Sequence, residues 1–224
     1  MLFSKGYTIL SVKSNIWYRT ACFLFRISFR VLYRGTVYGL ENIPRNGGVI
    51  LAGNHVSYWD PPMIVSNCRV REPIYSFARR TLFKKGIGWL FRRLGMLGVD
   101  RDKGNDLQTI RQVLDLLNRG QMVIMFPEGT RSITGELQRG KKGIGLFVMK
   151  AHVPVVPVRI FGTFQAWPKG KVLPNFKPRL QIVFGKPLMP DIDFKECQTS
   201  ADPLQAMSDR VMQAIGAIKK PKES

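Results

Sequence analysis

Two apolar periodicities alternate along this chain. Gly48-Val-Ile-Leu-Ala52, closed by Gly53, and Gln121-Met-Val-Ile-Met-Phe126 are short unbroken apolar runs. Runs of that length bounded by turn residues read as strands buried on both faces. Pro73 to Ala78, Val153 to Phe161 and Arg179 to Phe184 read as further strands. Between them the period lengthens. Leu107, Ile110, Val113, Leu114 and Leu117 stand at helical spacing over residues 105–119, with Asn105 or Asp106 able to cap the start and Gly120 following the end. Lys142 to Lys150 reads as a helix, and Met207, Val211, Ile215 and Ile218 mark a final one. Strands alternating with helices predict an α/β fold: a single domain with a mixed, largely parallel sheet flanked by helices. The Pro/Gly/Lys-rich stretch from Pro168 to Pro178 is read as a surface loop.

The N-terminal pattern differs. Residues 13–34 intersperse Trp17, Phe23, Leu24, Ile27, Val31 and Leu32 with Arg19, Arg26 and Arg30. A spanning helix needs about 20 mostly apolar residues. An arginine at the bilayer centre costs about 2.5–3.5 kcal/mol, so three argue against a span. An interrupted apolar core with no small-residue cleavage site argues against a signal peptide. At about 100° per residue the arginines fall within roughly 40° of one another. Such a stripe suits a helix lying in a lipid headgroup layer, and suits a helix packed on its own domain. Thr81 to Leu94 repeats the composition, with Lys84, Lys85, Arg92 and Arg93 around Phe83, Ile87, Trp89, Leu90 and Phe91, and carries the same two readings. The expected division is an amphipathic, membrane-associating segment over residues 1–34 and one domain over 35–224.

Composition narrows the class. At 224 residues with 45% apolar content and a mean hydropathy of −0.07, the chain can bury a core and is not disordered. Its net charge of +20 and pI near 10.4 call for an anionic partner: nucleic acid, a phosphate-bearing substrate or an anionic membrane. The basic excess runs along the whole chain rather than in a tail. Cys22, Cys68 and Cys197 are too few and too scattered for a disulfide framework, which suits a reducing compartment.

Candidate chemistry gathers after the buried strands. His55 lies in Gly53-Asn-His-Val-Ser-Tyr-Trp-Asp60-Pro-Pro, and Asp60 before Pro61 reads as a helix N-cap with proline at the first helical position. A turn across that loop can bring Asp60 to one imidazole nitrogen and leave the other facing a substrate, the geometry of an oriented general base. By itself His-x4-Asp is also compatible with a structural pair. Phe126-Pro-Glu-Gly-Thr-Arg-Ser132 follows the second buried strand and groups Glu128, Gly129, Thr130 and Arg131. Arginine's planar donor fork suits phosphate. Gly98-Val-Asp-Arg101 supplies a second such arginine. Ser57 is a conceivable nucleophile, but the Gly-x-Ser-x-Gly elbow is missing. His152 reads as structural, and two histidines without a paired carboxylate motif predict no metal site.

With these blocks in view the chain resembles the glycerolipid acyltransferase family. Asn54-His-Val-Ser-Tyr-Trp-Asp60, Val99-Asp-Arg101, Phe126-Pro-Glu-Gly-Thr-Arg-Ser132 and Val153-Pro-Val-Val-Pro-Val158 occur in the family's order and spacing over roughly residues 48–160. The resemblance implies an acyltransferase domain over 35–224. It implies transfer of a fatty acyl group from a thioester to the sn-2 hydroxyl of 1-acylglycerol 3-phosphate, giving phosphatidic acid. His55 would be the base and Asp60 its orienting partner. Arg101, Glu128, Gly129, Thr130 and Arg131 would bind the acceptor phosphate, with Arg79 a further basic candidate. Backbone N–H groups near Gly129 or His55 are candidates for oxyanion stabilisation. No cofactor is implied. The co-substrate is acyl-CoA or acyl-acyl carrier protein. The expected partners are an anionic membrane surface and lysophosphatidic acid, not nucleic acid, with a peripheral or monotopic location on the cytoplasmic side of the membrane. The alternatives are the same chemistry on glycerol 3-phosphate or another lysolipid, and a non-enzymatic basic protein binding a membrane surface or nucleic acid.

Overall fold

The computed structural model describes residues 15–84, 86, 88–99 and 107–222. Its strands are β1 (Thr36–Tyr38), β2 (Val49–Gly53), β3 (Ile74–Arg79), β4 (Met96–Val99), β5 (Met122–Met125), β6 (Val155–Phe161) and β7 (Gln181–Phe184). The helices are α1 (Ile16–Ile27), α2 (Asp60–Asn67), α3 (Gly88–Arg93), α4 (Leu107–Asn118), α5 (Lys142–Ala151), α6 (Thr163–Ala166), α7 (Pro190–Asp193), α8 (Lys195–Gln198) and α9 (Pro203–Ala217).

The strands form one sheet in the order β1-β7-β6-β2-β5-β3-β4, and only β6 and β7 pair antiparallel. This is the expected mixed, largely parallel sheet. The two unbroken apolar runs, β2 and β5, sit side by side at its centre, with Ile50 opposite Val123 and Leu51 opposite Ile124. Successive β2 residues feed opposite faces. Ile50 and Ala52 pack with Val113, Leu117, Val148 and Val211 under α4, α5 and α9. Val49 and Leu51 pack with Phe29, Met63, Ile64 and Ile160 under α1 and α2. Each face is covered, which is why these strands carry no polar alternation.

Several expectations are corrected. β6 starts at Val155 rather than Val153, and the Pro154 carbonyl accepts the Ile50 N–H at 3.0 Å. Edge strand β1 and edge strand β4 were not predicted; at three and four residues they are too short to show a period. Residues 81–94 do not form one helix. A 3-10 turn over Arg80–Lys84 ends before α3 begins at Gly88. A Cβ on Gly88 would lie 2.1 Å from the Phe83 carbonyl oxygen, so the two pieces cross too closely for any side chain there.

The N-terminal helix packs one face on the domain, as the second reading of its pattern expects, and leaves another face exposed. Tyr18 and Cys22 are buried, and after a π turn over Ser28–Leu32 so are Phe29 and Tyr33. The Tyr18 hydroxyl accepts the Ile74 N–H at 3.1 Å, tying α1 to β3. Ile16, Trp17, Phe23, Leu24, Ile27, Val31 and Leu32 are exposed. The arginine stripe is split: Arg26 turns inward, donating to the Ser66 carbonyl at 2.9 and 3.0 Å and pairing with Glu72 at 3.6 Å. Among the described residues, no helix is long and apolar enough to cross a membrane.

Candidate active site

β2 and β5 are adjacent and parallel, so their carboxyl ends deliver His55 and Glu128 to one place. Asn54 holds the β2 exit. Its side chain donates to the Ile160 carbonyl at 3.2 Å and accepts the Ile160 N–H at 2.8 Å. The chain then turns through His55–Trp59 into α2.

Asp60 organises that turn. It is fully buried, and its Oδ2 accepts from His55 Nδ1 at 2.9 Å, Val56 N–H at 2.6 Å and Ser57 N–H at 2.7 Å. The N-cap reading is therefore corrected: Asp60 is the first residue of α2, with Pro61 and Pro62 behind it, and its carboxylate reaches back into the loop. A carboxylate only accepts, so the proton shared with Asp60 sits on Nδ1. In the neutral ring Nε2 then carries the lone pair, and it has no hydrogen-bond partner among the described residues. The imidazole lies against the Phe126 ring, with centroids 4.3 Å apart and planes 25° apart. The ring is thus fixed in tautomer and plane, with 14% of its side chain still reachable. This is the arrangement of an oriented general base.

Glu128 braces the same loop from the other side. Its Oε1 accepts the His55 N–H at 2.7 Å and its Oε2 the Gln138 N–H at 3.2 Å. The Ser132 N–H returns to the His55 carbonyl at 2.8 Å. Glu128 is 1% exposed, and burial pushes its carboxyl upward against the pull of those two amides. A buried anion with both oxygens occupied is suited to holding the His55 loop, not to contacting a phosphate. Gly129 has φ +69°, and its N–H closes a turn on the Phe126 carbonyl at 3.0 Å. The N–H groups of His55 and Gly129 themselves are thus engaged within the loop, which leaves only their neighbours as candidates for oxyanion stabilisation.

Replacing Glu128 with glutamine leaves one amide facing an NH₂ group, at about 1–3 kcal/mol for the lost acceptor. The expected outcome is a Tm lower by several degrees, at about 2–4 °C per kcal/mol. The pH dependence changes as well. A raised native carboxyl binds more protons than the unfolded one, so wild-type stability falls as pH climbs from about 4.5 through the raised value. The wild-type excess over the glutamine variant should shrink across that window. A constant difference from pH 4.5 to 7 would remove this reading of Glu128.

Arg131 lies over the Tyr58 ring, 3.6 Å from its centroid, and its Nη1 is buried without a hydrogen-bond partner. A stacked guanidinium with an unused donor is poised for an oxyanion. Thr130, beside it, is half-buried. Of the other candidates, Arg79 ends β3 at the same edge of the sheet, opposite Val99 in register. Arg101 lies outside the described residues. Ser57 is not a free nucleophile: it is fully buried, donates to the Trp167 carbonyl at 2.7 Å and accepts the Trp59 N–H at 3.1 Å. His152 pairs with Asp191 at 3.0 Å on the surface.

Sequence reasoning missed Phe126 as the wall of the imidazole and Tyr58 as the platform for Arg131. Both lie inside the recognised blocks, so their position was legible although their contacts were not.

Several known proteins are similar to this chain. The family model described as Acyltransferase matches residues 34–161. A 1-acyl-sn-glycerol-3-phosphate acyltransferase of Chlamydomonas reinhardtii is 33% identical over 80% of this chain and 52% of its own length. One from Bacillus subtilis is 29% identical over 82% of this chain and 87% of its own. The crystal structure of the 1-acyl-sn-glycerophosphate acyltransferase PlsC from Thermotoga maritima superposes with a TM-score of 0.68 at 26% identity, covering 91% of this chain and 81% of that one. The chain spans about half the length of the algal and plant relatives it matches.

Proposed function

The chain belongs to the acyltransferase family, and from that premise we propose that it acylates the sn-2 hydroxyl of 1-acylglycerol 3-phosphate to give phosphatidic acid. The observation that carries this reading is the His55–Asp60 pair, which leaves Nε2 without a partner among the described residues, in the turn whose Tyr58 ring Arg131 covers. Nε2 takes the proton of the acceptor hydroxyl as its oxygen attacks the thioester carbonyl. Asp60 stabilises the imidazolium. The tetrahedral intermediate collapses, the carbon–sulfur bond breaks, and the imidazolium returns its proton to the departing thiolate. The donor is acyl-CoA or acyl-acyl carrier protein. Arg131, with Arg79 and Arg101, holds the acceptor phosphate, and Glu128 positions the loop.

An apolar cleft between α1, α2 and the strands is lined by Tyr18, Ala21, Cys22, Phe25, Val65 and Met96 and extends to Pro61 and Pro62, next to Asp60. It has the chemistry to receive an acyl chain. The exposed apolar face of α1 lies in an anionic, cytoplasm-facing lipid layer, where Arg19 and Arg30 meet phosphates.

The test is acyl transfer from labelled acyl-CoA and acyl-acyl carrier protein to lysophosphatidic acid. Phosphatidic acid is the expected product. Folded protein that forms none with either donor would overturn the reading. Arg131→Gln is expected to raise KM for the acceptor roughly 10–100-fold, the equivalent of one charge-assisted hydrogen bond. An unchanged KM would take Arg131 out of the phosphate site.

A further inference from the structure

The loop from Pro168 to Pro178 is built onto the turn that carries His55. The Trp167 carbonyl accepts the Ser57 hydroxyl at 2.7 Å, and Pro168 bridges to Ser57. The loop's own geometry is closed: Trp167 Nε1 donates to the Lys171 carbonyl at 2.9 Å, and the Asn175 N–H to the Ala166 carbonyl at 2.6 Å. Its far end is held by Arg34, which donates to the Lys177 carbonyl at 2.7 Å. A loop so braced should bury its apolar side chains. Instead Val172 is 86% exposed and Leu173 80%, with Phe176 half exposed behind them. Lys169, Lys171 and Lys177 flank them in the sequence and are also exposed.

Exposed apolar side chains flanked by exposed lysines match an anionic bilayer: hydrocarbon for the one, phosphates for the other. Aromatic contacts join this loop to the N-terminal helix. Phe25 of α1 meets Trp59 at 5.9 Å, Trp59 meets Trp167 at 5.0 Å, and Trp167 meets Tyr58 at 5.1 Å. Tyr33, which accepts the Trp59 indole N–H at 2.7 Å, contacts Phe176 at 5.5 Å. These ring contacts tie the N-terminal helix to the base of the loop, so the two segments hold a fixed relation to each other.

We propose that residues 168–178 are a second membrane-contacting element, in which Val172 and Leu173 enter an anionic lipid surface while Lys169, Lys171 and Lys177 engage its phosphates. The loop and α1 then grip the bilayer on either side of the His55 turn. This rests on the membrane reading of α1 given above, but it makes its own demand on a different segment.

The experiment compares wild type with Val172→Ser/Leu173→Ser in sedimentation with phosphatidylglycerol vesicles and with phosphatidylcholine vesicles. Turnover of a short-chain, monomeric lysophosphatidic acid is measured in parallel. The expected result is at least tenfold weaker partitioning of the variant onto phosphatidylglycerol, with the soluble acceptor turned over as in wild type. A polarity-sensitive dye on Val172→Cys, in a Cys197→Ser background, should shift to the blue on adding phosphatidylglycerol vesicles. Equal partitioning of variant and wild type, with no dye shift, would overturn the proposal. Wild type that fails to sediment with either vesicle would overturn the membrane reading and the loop together. Weaker turnover of the soluble acceptor, confined to acyl carrier protein as donor and with partitioning intact, would make the loop a protein-docking site and overturn the lipid assignment. Absence of product from wild type bears on the acyltransferase reading alone, because the sedimentation comparison needs no turnover.

Discussion

His55→Ala is expected to lower turnover by about 10²–10⁴-fold, the range that general-base catalysis supplies, while the protein melts close to wild type. The two halves follow from one geometry. Every backbone contact of His55 is independent of its side chain: its N–H goes to Glu128 and its carbonyl receives the Ser132 N–H. Removing the imidazole leaves that scaffold standing and takes away only the Nδ1 bond to Asp60 and the stack on Phe126. Asp60 keeps the Val56 and Ser57 amides, so its charge is not orphaned. Binding of both substrates should survive, so the loss falls on kcat rather than on KM for the acceptor. Steady-state kinetics beside a thermal melt reads both. A folded variant with wild-type kcat would sink the mechanism, and an unfolded one would show that the ring is a structural pillar.

How much of this was legible beforehand depends on the range of the interactions. The central strands were, because β2 and β5 are buried on both faces and can only be continuous apolar runs. The His55–Asp60 pair was, because both ends lie within one turn. The direction of the Asp60 carboxylate was not. The sequence Asp-Pro-Pro favours a forward cap, but three donors on the preceding loop outbid one helix N-terminus. The family resemblance implies a phosphate-binding role for Glu128 along with the rest of its block. Its true partners, the His55 and Gln138 amides, lie 73 and 10 residues away, and no local pattern reports them. Arg26 fits a lipid-facing stripe by angle alone, and only the docking of α1 on α2 shows that a carbonyl and Glu72 draw it inward. The loop at Pro168–Pro178 carried a composition without a location. Its link to Ser57 spans 110 residues.

Asp60 separates structure from chemistry, because two substitutions should fail differently. Asp60→Ala removes the acceptor of the Val56 and Ser57 amides, which lie in a fully buried pocket. Each orphaned donor costs about 1–3 kcal/mol, so together about 2–6 kcal/mol are lost from a total that is typically 5–15 kcal/mol. A fall in Tm of roughly 10 °C or more is expected, together with loss of activity. Asp60→Asn keeps an oxygen where Oδ2 stands, able to accept both amides and the His55 proton. Its NH₂ group falls where Oδ1 lies buried without a partner, which costs far less than losing the cradle. The fold should therefore persist with a small drop in Tm, while kcat falls by a further large factor. On the proposed mechanism, a neutral amide would orient the imidazole but would not stabilise the imidazolium formed when the acceptor hydroxyl gives up its proton. Full kcat in Asp60→Asn would show that the charge is dispensable and that Asp60 serves orientation alone. A wild-type melt for Asp60→Ala would show that the amides find other acceptors, and that the turn carrying His55 does not depend on this carboxylate.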